Sequence, residues 1–93
     1  MTGVDADPDE LRALADRLDR AGEGLAQVGG TLNTRHDAVA ATWQDEKYRA
    51  FETVFTESLS QLRHLSEEMR RTAAYLRRKA TPLDDYLSRR GYR

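Results

Sequence analysis

The side chains that could bind a metal or transfer protons are few in this 93-residue chain, which has no cysteine and two histidines, His36 and His64. Only His64 has a potential second ligand one helical turn away, Glu68. A pair of this kind is more typical of a hydrogen bond on a helix surface than of a metal site. The sequence therefore predicts no bound metal, and the lack of cysteine excludes a disulfide or a thiolate site.

Nucleophilic catalysis is not indicated either. No serine is accompanied by the base and the orienting group that an activated nucleophile needs. The adjacent carboxylates Glu67-Glu68 and Asp84-Asp85 would point in different directions on a helix, which indicates solvated faces rather than an acid/base pair. There is also no glycine-rich phosphate loop. We therefore expect a non-enzymatic protein that uses no cofactor.

The arginines of residues 70–79 are the one feature that could contact phosphate groups. Against nucleic-acid binding, the net charge is −1, the pI is about 6.1 and only Tyr75 interleaves with these arginines. The charges are also divided along the chain, with 10 acidic and 4 basic side chains in residues 1–46 against 6 acidic and 11 basic in residues 47–93. We therefore expect the two halves to pair with each other, antiparallel, and not with nucleic acid.

The first half of the chain has the pattern of one long helix. Asp7 is suited to cap its start and Pro8 to occupy its first position, where a missing N–H costs nothing. Every seventh residue is then apolar, which is typical of a helix that lies along another helix. These positions are Leu11, Leu18, Leu25 and Leu32. Because the spacing continues across Gly29-Gly30, we predict a continuous helix over about residues 8–42, with glycines that permit a bend or a close helix contact; a break at this pair is the alternative.

The second half repeats this pattern and predicts a helix over about residues 46–80. Its seven-residue series includes Leu62, Met69 and Leu76, and neighbouring apolar positions widen the stripe beyond one seam. Thr81-Pro82 resembles another helix start, so a kink or a short helix over about 82–89 is expected. The chain is thus predicted to be one all-α domain, an antiparallel hairpin with a tail at residues 1–6. Its wide stripe favours dimerisation into a four-helix bundle.

The turn between the helices holds the only tryptophan and both phenylalanines. Asp45 is suited to cap the second helix, and the aromatic residues after it share one face because they are three and four positions apart. We predict that Trp43 either fixes the turn by packing on Phe51 or keeps part of its ring accessible to a partner. The candidate partner-binding residues are Trp43, Gln44, Asp45, Tyr48, Phe51 and Phe55.

These features resemble the WXG family of small, early-secreted-antigen-like proteins. The resemblance covers about residues 8–87 and rests on the chain length, the two long amphipathic helices and Trp43-Gln44-Asp45, in which Asp45 replaces the glycine of the Trp-x-Gly motif. It implies a helical hairpin that pairs with itself or with a related hairpin. The seven-residue spacing places the seam of the hairpin or of the dimer on Leu11, Leu18, Leu25, Leu32, Leu62, Met69 and Leu76. It also implies export by a type VII secretion system of Gram-positive bacteria, without a cleaved signal peptide.

The acidic first ten residues and the lack of a long apolar run agree with that route, since neither a signal peptide nor a membrane span is indicated. One departure concerns the Tyr-x-x-x-Asp/Glu signal that the family carries after the second helix. Tyr75 and Tyr86 are followed four residues later by basic side chains, and Tyr48 with Glu52 has the spacing at the opposite end. The alternative function is a cytoplasmic adaptor or chaperone that pairs with a larger toxin or effector. A secretion ATPase is a further possible partner.

Overall fold

The computed structural model describes the backbone of residues 6–91 and the side chains of residues 6–87. Helix α1 (Pro8–Ala40) and helix α2 (Glu46–Gly91) run antiparallel and are joined by a turn at residues 41–45. The result is a rod with principal extents of 73 × 21 × 13 Å. The prediction of an all-α helical hairpin is confirmed. The tail predicted at residues 1–6 lies, apart from Ala6, outside the described residues.

Both helices begin as their local sequence predicts. The Asp7 carboxylate accepts a 2.9 Å hydrogen bond from the N–H of Asp9, and Pro8 occupies the first turn of α1. At α2, the Asp45 carboxylate accepts a 3.1 Å hydrogen bond from the N–H of Tyr48. Each carboxylate satisfies an N–H group that has no partner within its own helix, so these two residues set where the helices start.

The centre of the helix–helix seam is made of small residues. On α1 the buried positions are Pro8, Ala15, Gly22 and Gly29, each seven residues after the one before. A methyl group added at Gly22 would lie 2.9 Å from the Ser66 carbonyl oxygen, so the backbones of the two helices nearly touch at this point. The buried Ser66 hydroxyl donates a 2.6 Å hydrogen bond to the Gly22 carbonyl. Glycine is therefore required here for close helix approach, and α1 continues through Gly29-Gly30 without a break.

The heptad leucines lie beside this seam rather than at its centre. On α1 Leu11, Leu18 and Leu25 are half-buried, while Leu32 is 40% exposed. On α2 the corresponding half-buried residues are Leu62, Met69 and Leu76. Among the described side chains of α2, the buried seam residues lie three residues before or four residues after a member of this series. They are Leu59, Ser66, Ala73 and Ala80. Small residues thus bring the helices together, and the larger apolar residues close one edge of the contact.

Of the two alternatives expected at Pro82, the separate short helix is not formed, because α2 continues through this residue to Gly91. Proline leaves the carbonyl four residues earlier without a donor, and this carbonyl belongs to Arg78. Arg78 and Pro82 are both exposed, so water can satisfy the carbonyl and the ring projects into solvent. Thr81, predicted to cap a new helix, instead donates its hydroxyl hydrogen to the Arg77 carbonyl at 3.2 Å, as a residue inside a helix does.

One long side of the rod is bridged by ion pairs between the helices. The Arg77 guanidinium contacts Asp19 at 2.5 Å and Asp16 at 2.7 Å, and Arg12 pairs with Asp84. Hydrogen bonds from Asp16 and Asp19 raise the pKa of Arg77 above its ordinary value. The attraction expected between the acidic first half and the arginines is thus realised at Arg77, while Arg12 and Asp84 pair with the opposite polarity.

Candidate partner-binding site

The turn at the closed end of the hairpin holds Trp43 against the start of α2. The N–H groups of Thr42 and Trp43 both donate to the Val39 carbonyl, at 3.0 and 2.9 Å. These bonds satisfy the carbonyl at the end of α1 and turn the chain back on itself. The adjacent Gln44 is exposed, and Asp45 then caps α2. The indole ring is therefore positioned by backbone hydrogen bonds on one side and a helix cap on the other.

The aromatic side chains of the turn form one continuous cluster. The Trp43 ring meets the edge of Tyr48 at a centroid distance of 5.4 Å and an interplanar angle of 67°. It also lies 5.6 Å from Phe51, and Phe51 lies 5.6 Å from Phe55. Trp43 is half-buried and Phe51 is 38% exposed. The ring of Trp43 therefore packs on Phe51 and still presents part of its surface to solvent.

His36, which was considered above only as a metal ligand, belongs to the same cluster. Its ring stacks on Phe55 with centroids 4.7 Å apart and planes 5° apart. Its side chain is 11% exposed. One signal in the sequence could have identified it, since His36 lies seven residues after Gly29 and seven before Trp43. It thus continues the series of seam residues on α1, with an imidazole in place of a small side chain.

The Tyr48 hydroxyl connects the two helices inside this cluster. It lies 3.0 Å from His36 Nε2 and donates a 3.1 Å hydrogen bond to the Glu52 carboxylate. Burial raises the pKa of Tyr48, and the hydrogen bond to Glu52 raises it further. The Tyr-x-x-x-Glu spacing at residues 48–52 therefore serves an internal contact of the hairpin.

The side of the rod opposite the ion pairs carries large apolar side chains that the hairpin leaves exposed. On both helices these residues immediately precede seam positions, and because the helices are antiparallel such positions lie on the same side of the rod. Leu14 precedes Ala15 and is 49% exposed, and Leu65 precedes Ser66 and is 48% exposed. We call this surface the apolar face. It comprises Leu14, Val28 and Leu65, with Leu32, Val39 and Phe51 at its borders.

The remaining candidates are occupied by contacts within the hairpin or lie apart from one another. His64 Nε2 is 3.9 Å from Glu68, and Glu68 accepts a 2.5 Å hydrogen bond from Arg71. That hydrogen bond holds the pKa of Glu68 below its ordinary value. Over the described residues, no three histidine or acidic side chains are grouped as a metal site would require. In the same residues, neither helix has an apolar stretch that could span a membrane.

Comparison with known proteins agrees with this architecture. A family model described as a WXG100-like domain matches residues 5–86, which include both helix caps, Trp43 and all the residues of the apolar face. No curated protein matches the chain, and no solved structure does. The match extends over most of the hairpin. It includes both helices and the turn with Trp43, on which the resemblance to this family rests. The chain belongs to the WXG100-like family of helical-hairpin proteins.

Proposed function

We propose that this protein is a non-enzymatic component of a type VII secretion system, exported as a substrate or together with a partner, and that it acts by pairing through its apolar face. Membership in the WXG100-like family supports the association with type VII secretion. The observation that carries the pairing is the exposure of Leu14, Val28 and Leu65, each close to half accessible on the same side of the rod.

A second helical hairpin is the partner that this face fits best. The face runs along a rod 73 Å long, as expected for a surface that receives the ridges of other helices rather than a compact ligand. Near the open end of the hairpin it continues into a mainly apolar groove, which is lined by Ala6, Leu11, Tyr75, Leu76, Lys79, Pro82 and Leu83. Contiguous exposed apolar side chains of this kind are typical of interaction surfaces. Two hairpins joined face to face would give a four-helix bundle with its leucines in the core.

The pairing is tested by placing a charge in the centre of the apolar face. In a bundle Leu65→Glu would bury a carboxylate without a partner, which is strongly unfavourable. The matched control is Ser60→Glu, which places the same charge on the ion-paired side of the same helix. Light scattering after size exclusion should give twice the chain mass of 10.6 kDa for the native protein and the control, and the chain mass for Leu65→Glu.

The outcome also distinguishes the kinds of partner. If the native protein is a monomer, pairing with a related hairpin requires that pull-down from native lysate recovers a small helical protein, and that Leu65→Glu fails to recover it. Recovery of one stoichiometric larger protein instead would identify the adaptor function. A native monomer that recovers neither would refute pairing through this face.

Export is tested separately from pairing. Native cultures with and without the secretion ATPase are fractionated, and the protein is detected in cells and medium. We expect it in the medium only when the ATPase is present. Presence in the cytosol alone in both strains would refute export and leave the pairing result standing.

A further inference from the structure

The ion pairs between the helices follow the seven-residue repeat of the seam. Four residues after each seam position, a residue of α1 faces a residue of α2 on the ion-paired side of the rod. We call these four couples the bridging pairs. They are Arg12 with Asp84, Asp19 with Arg77, Ala26 with Arg70 and Asn33 with Arg63. Every bridging pair thus contains an arginine, but only the two nearest the open end of the hairpin contain an acid.

The arginines of the two incomplete pairs have no carboxylate partner. Arg63 and Arg70 are exposed and make no ion pair with the side chains that the structure describes. Glu23 lies one repeat after Asp16, which contacts Arg77, but Glu23 makes no such contact within the same described residues. The hairpin therefore presents two guanidinium groups in the arrangement that binds a carboxylate at Arg77, without the carboxylate.

These two arginines border a groove of about 310 Å³ between the helices. On α1 the groove is lined by Ala26, Gly29, Gly30 and Asn33. A methyl group added at Gly30 would meet no atom within 4 Å, so this wall is open to an approaching chain. On α2 the lining residues are Arg63, Ser66, Glu67 and Arg70. The charges of the α2 wall therefore alternate, positive, negative and positive, within one seven-residue repeat.

The spacing of these charges favours a helix as the ligand. Residues seven apart on α2 lie about 10.5 Å apart along its axis, and a helix laid along the groove repeats this distance with its own residues. A strand places the side chains of one face about 6.8 or 13.6 Å apart, and neither distance fits. A nucleic acid carries negative charge along its whole strand, so Glu67 would repel it between the two arginines.

We propose that Arg63 and Arg70 bind two carboxylates, seven residues apart, on a helix of another protein, and so complete the two bridging pairs that lack an acid. A guanidinium can hold a carboxylate through two parallel hydrogen bonds. A basic residue midway between the carboxylates pairs with Glu67. The site lies on the side of the rod opposite the apolar face, so a hairpin paired through that face still presents it.

The test uses an alanine-rich helical peptide of about 20 residues as the probe. It carries two glutamates seven residues apart, with a lysine four residues after the first. The isotopically labelled full chain is titrated with this peptide at low salt, and the NMR signals of the arginine Nε–H groups are followed. We expect saturable shifts at Arg63 and Arg70. Arg63→Gln and Arg70→Gln should each weaken binding about threefold or more.

A control peptide of the same composition has its glutamates five residues apart, so that they point in different directions. It should bind at least about threefold more weakly than the probe. Arg71→Gln is the control variant, because Arg71 is adjacent in sequence but pairs with Glu68. This variant should bind the probe as the native protein does. Leu65→Glu should also bind it, whether or not that variant still pairs through the apolar face.

Supplying the acids within the chain gives the sharpest variant. Ala26→Asp combined with Asn33→Asp places one carboxylate opposite each of the two arginines, as Asp19 lies opposite Arg77. This double variant should keep the helical circular dichroism of the native protein and lose the probe, because its own carboxylates occupy the site.

Four results would overturn the proposal. They are an absence of shifts at Arg63 and Arg70 in the native protein, equal binding of the two peptides, native-like binding by the double variant, and a loss of binding in Arg71→Gln as large as in Arg70→Gln. A single-stranded oligonucleotide that shifts the same arginines at lower concentration than the probe would also overturn it, since the site would then prefer phosphate.

Discussion

Replacing Gly22 by alanine should destabilise the hairpin, although alanine is the better helix former. The added methyl group would lie 2.9 Å from the Ser66 carbonyl oxygen and 2.9 Å from Arg70 Cγ. The Arg70 side chain can move, but the Ser66 carbonyl belongs to the backbone of α2. Relief of the clash therefore requires the two helices to separate locally, which also weakens the hydrogen bond from Ser66 to Gly22.

The matched control is Gly30→Ala, since a methyl group at Gly30 meets no atom within 4 Å. Both substitutions gain about 0.8–1 kcal/mol of helix propensity, so this contribution cancels in their difference. Overpacking costs about 1–3 kcal/mol and a weakened hydrogen bond about 1 kcal/mol. We therefore expect Gly22→Ala to be less stable than Gly30→Ala by about 2–4 kcal/mol, and Gly30→Ala to be more stable than the native protein.

Thermal and urea unfolding followed by circular dichroism at one protein concentration would measure these differences. For a chain of this size, 1 kcal/mol corresponds to a Tm shift of about 4–8 °C. Gly29→Ala provides a graded third point, because its methyl group would meet Leu62 Cδ2 at 3.2 Å, the end of a side chain that can yield. It should fall between the other two. A Gly22→Ala protein at least as stable as Gly30→Ala would refute the close backbone contact.

Three further outcomes test the fold with the same unfolding measurements. Asp45→Ala removes the cap that accepts from the N–H of Tyr48 and should cost about 1 kcal/mol; no change would exclude a capping role. Leu59→Ala, at a side chain 7% exposed, should cost about 2–4 kcal/mol, whereas Val54→Ala, at 63% exposure, should change stability by less than about 0.5 kcal/mol. Pro82→Ala should stabilise α2, by at most about 3 kcal/mol, and a loss of stability would show that the proline is needed there.

The starts of the two helices were predictable because they depend on local chemistry. Asp7 followed by Pro8, and Asp45 at the turn, have side chains that satisfy free N–H groups wherever a helix starts. The heptad spacing likewise indicated an antiparallel pair. A separate helix after Pro82 was considered because proline disfavours the helical conformation of the residue before it. A long helix can accept this cost where the carbonyl left without a donor is open to water.

The centre of the seam could not be identified from hydrophobicity. Gly22 and Ser66 carry almost no apolar surface, so a search for apolar periodicity selects the leucines beside them. Their importance lies in the distance between two backbones, which depends on both helices at once. His36 was overlooked for a related reason, because a polar residue gains its role only when Tyr48 and Phe55 are brought to it by the other helix.

The buried hydrogen bond from Ser66 to the Gly22 carbonyl also fixes the alignment of the two helices. A seven-residue repeat does not by itself fix the alignment of two helices, since sliding one helix by a full repeat restores nearly the same match of leucines to leucines. Such a slip would bring the Ser66 hydroxyl to a different turn of α1, away from the glycine that admits it. The Ser66 hydroxyl therefore selects one alignment of the helices among several that the leucines alone would allow. That alignment also determines the length of the loop that carries Trp43.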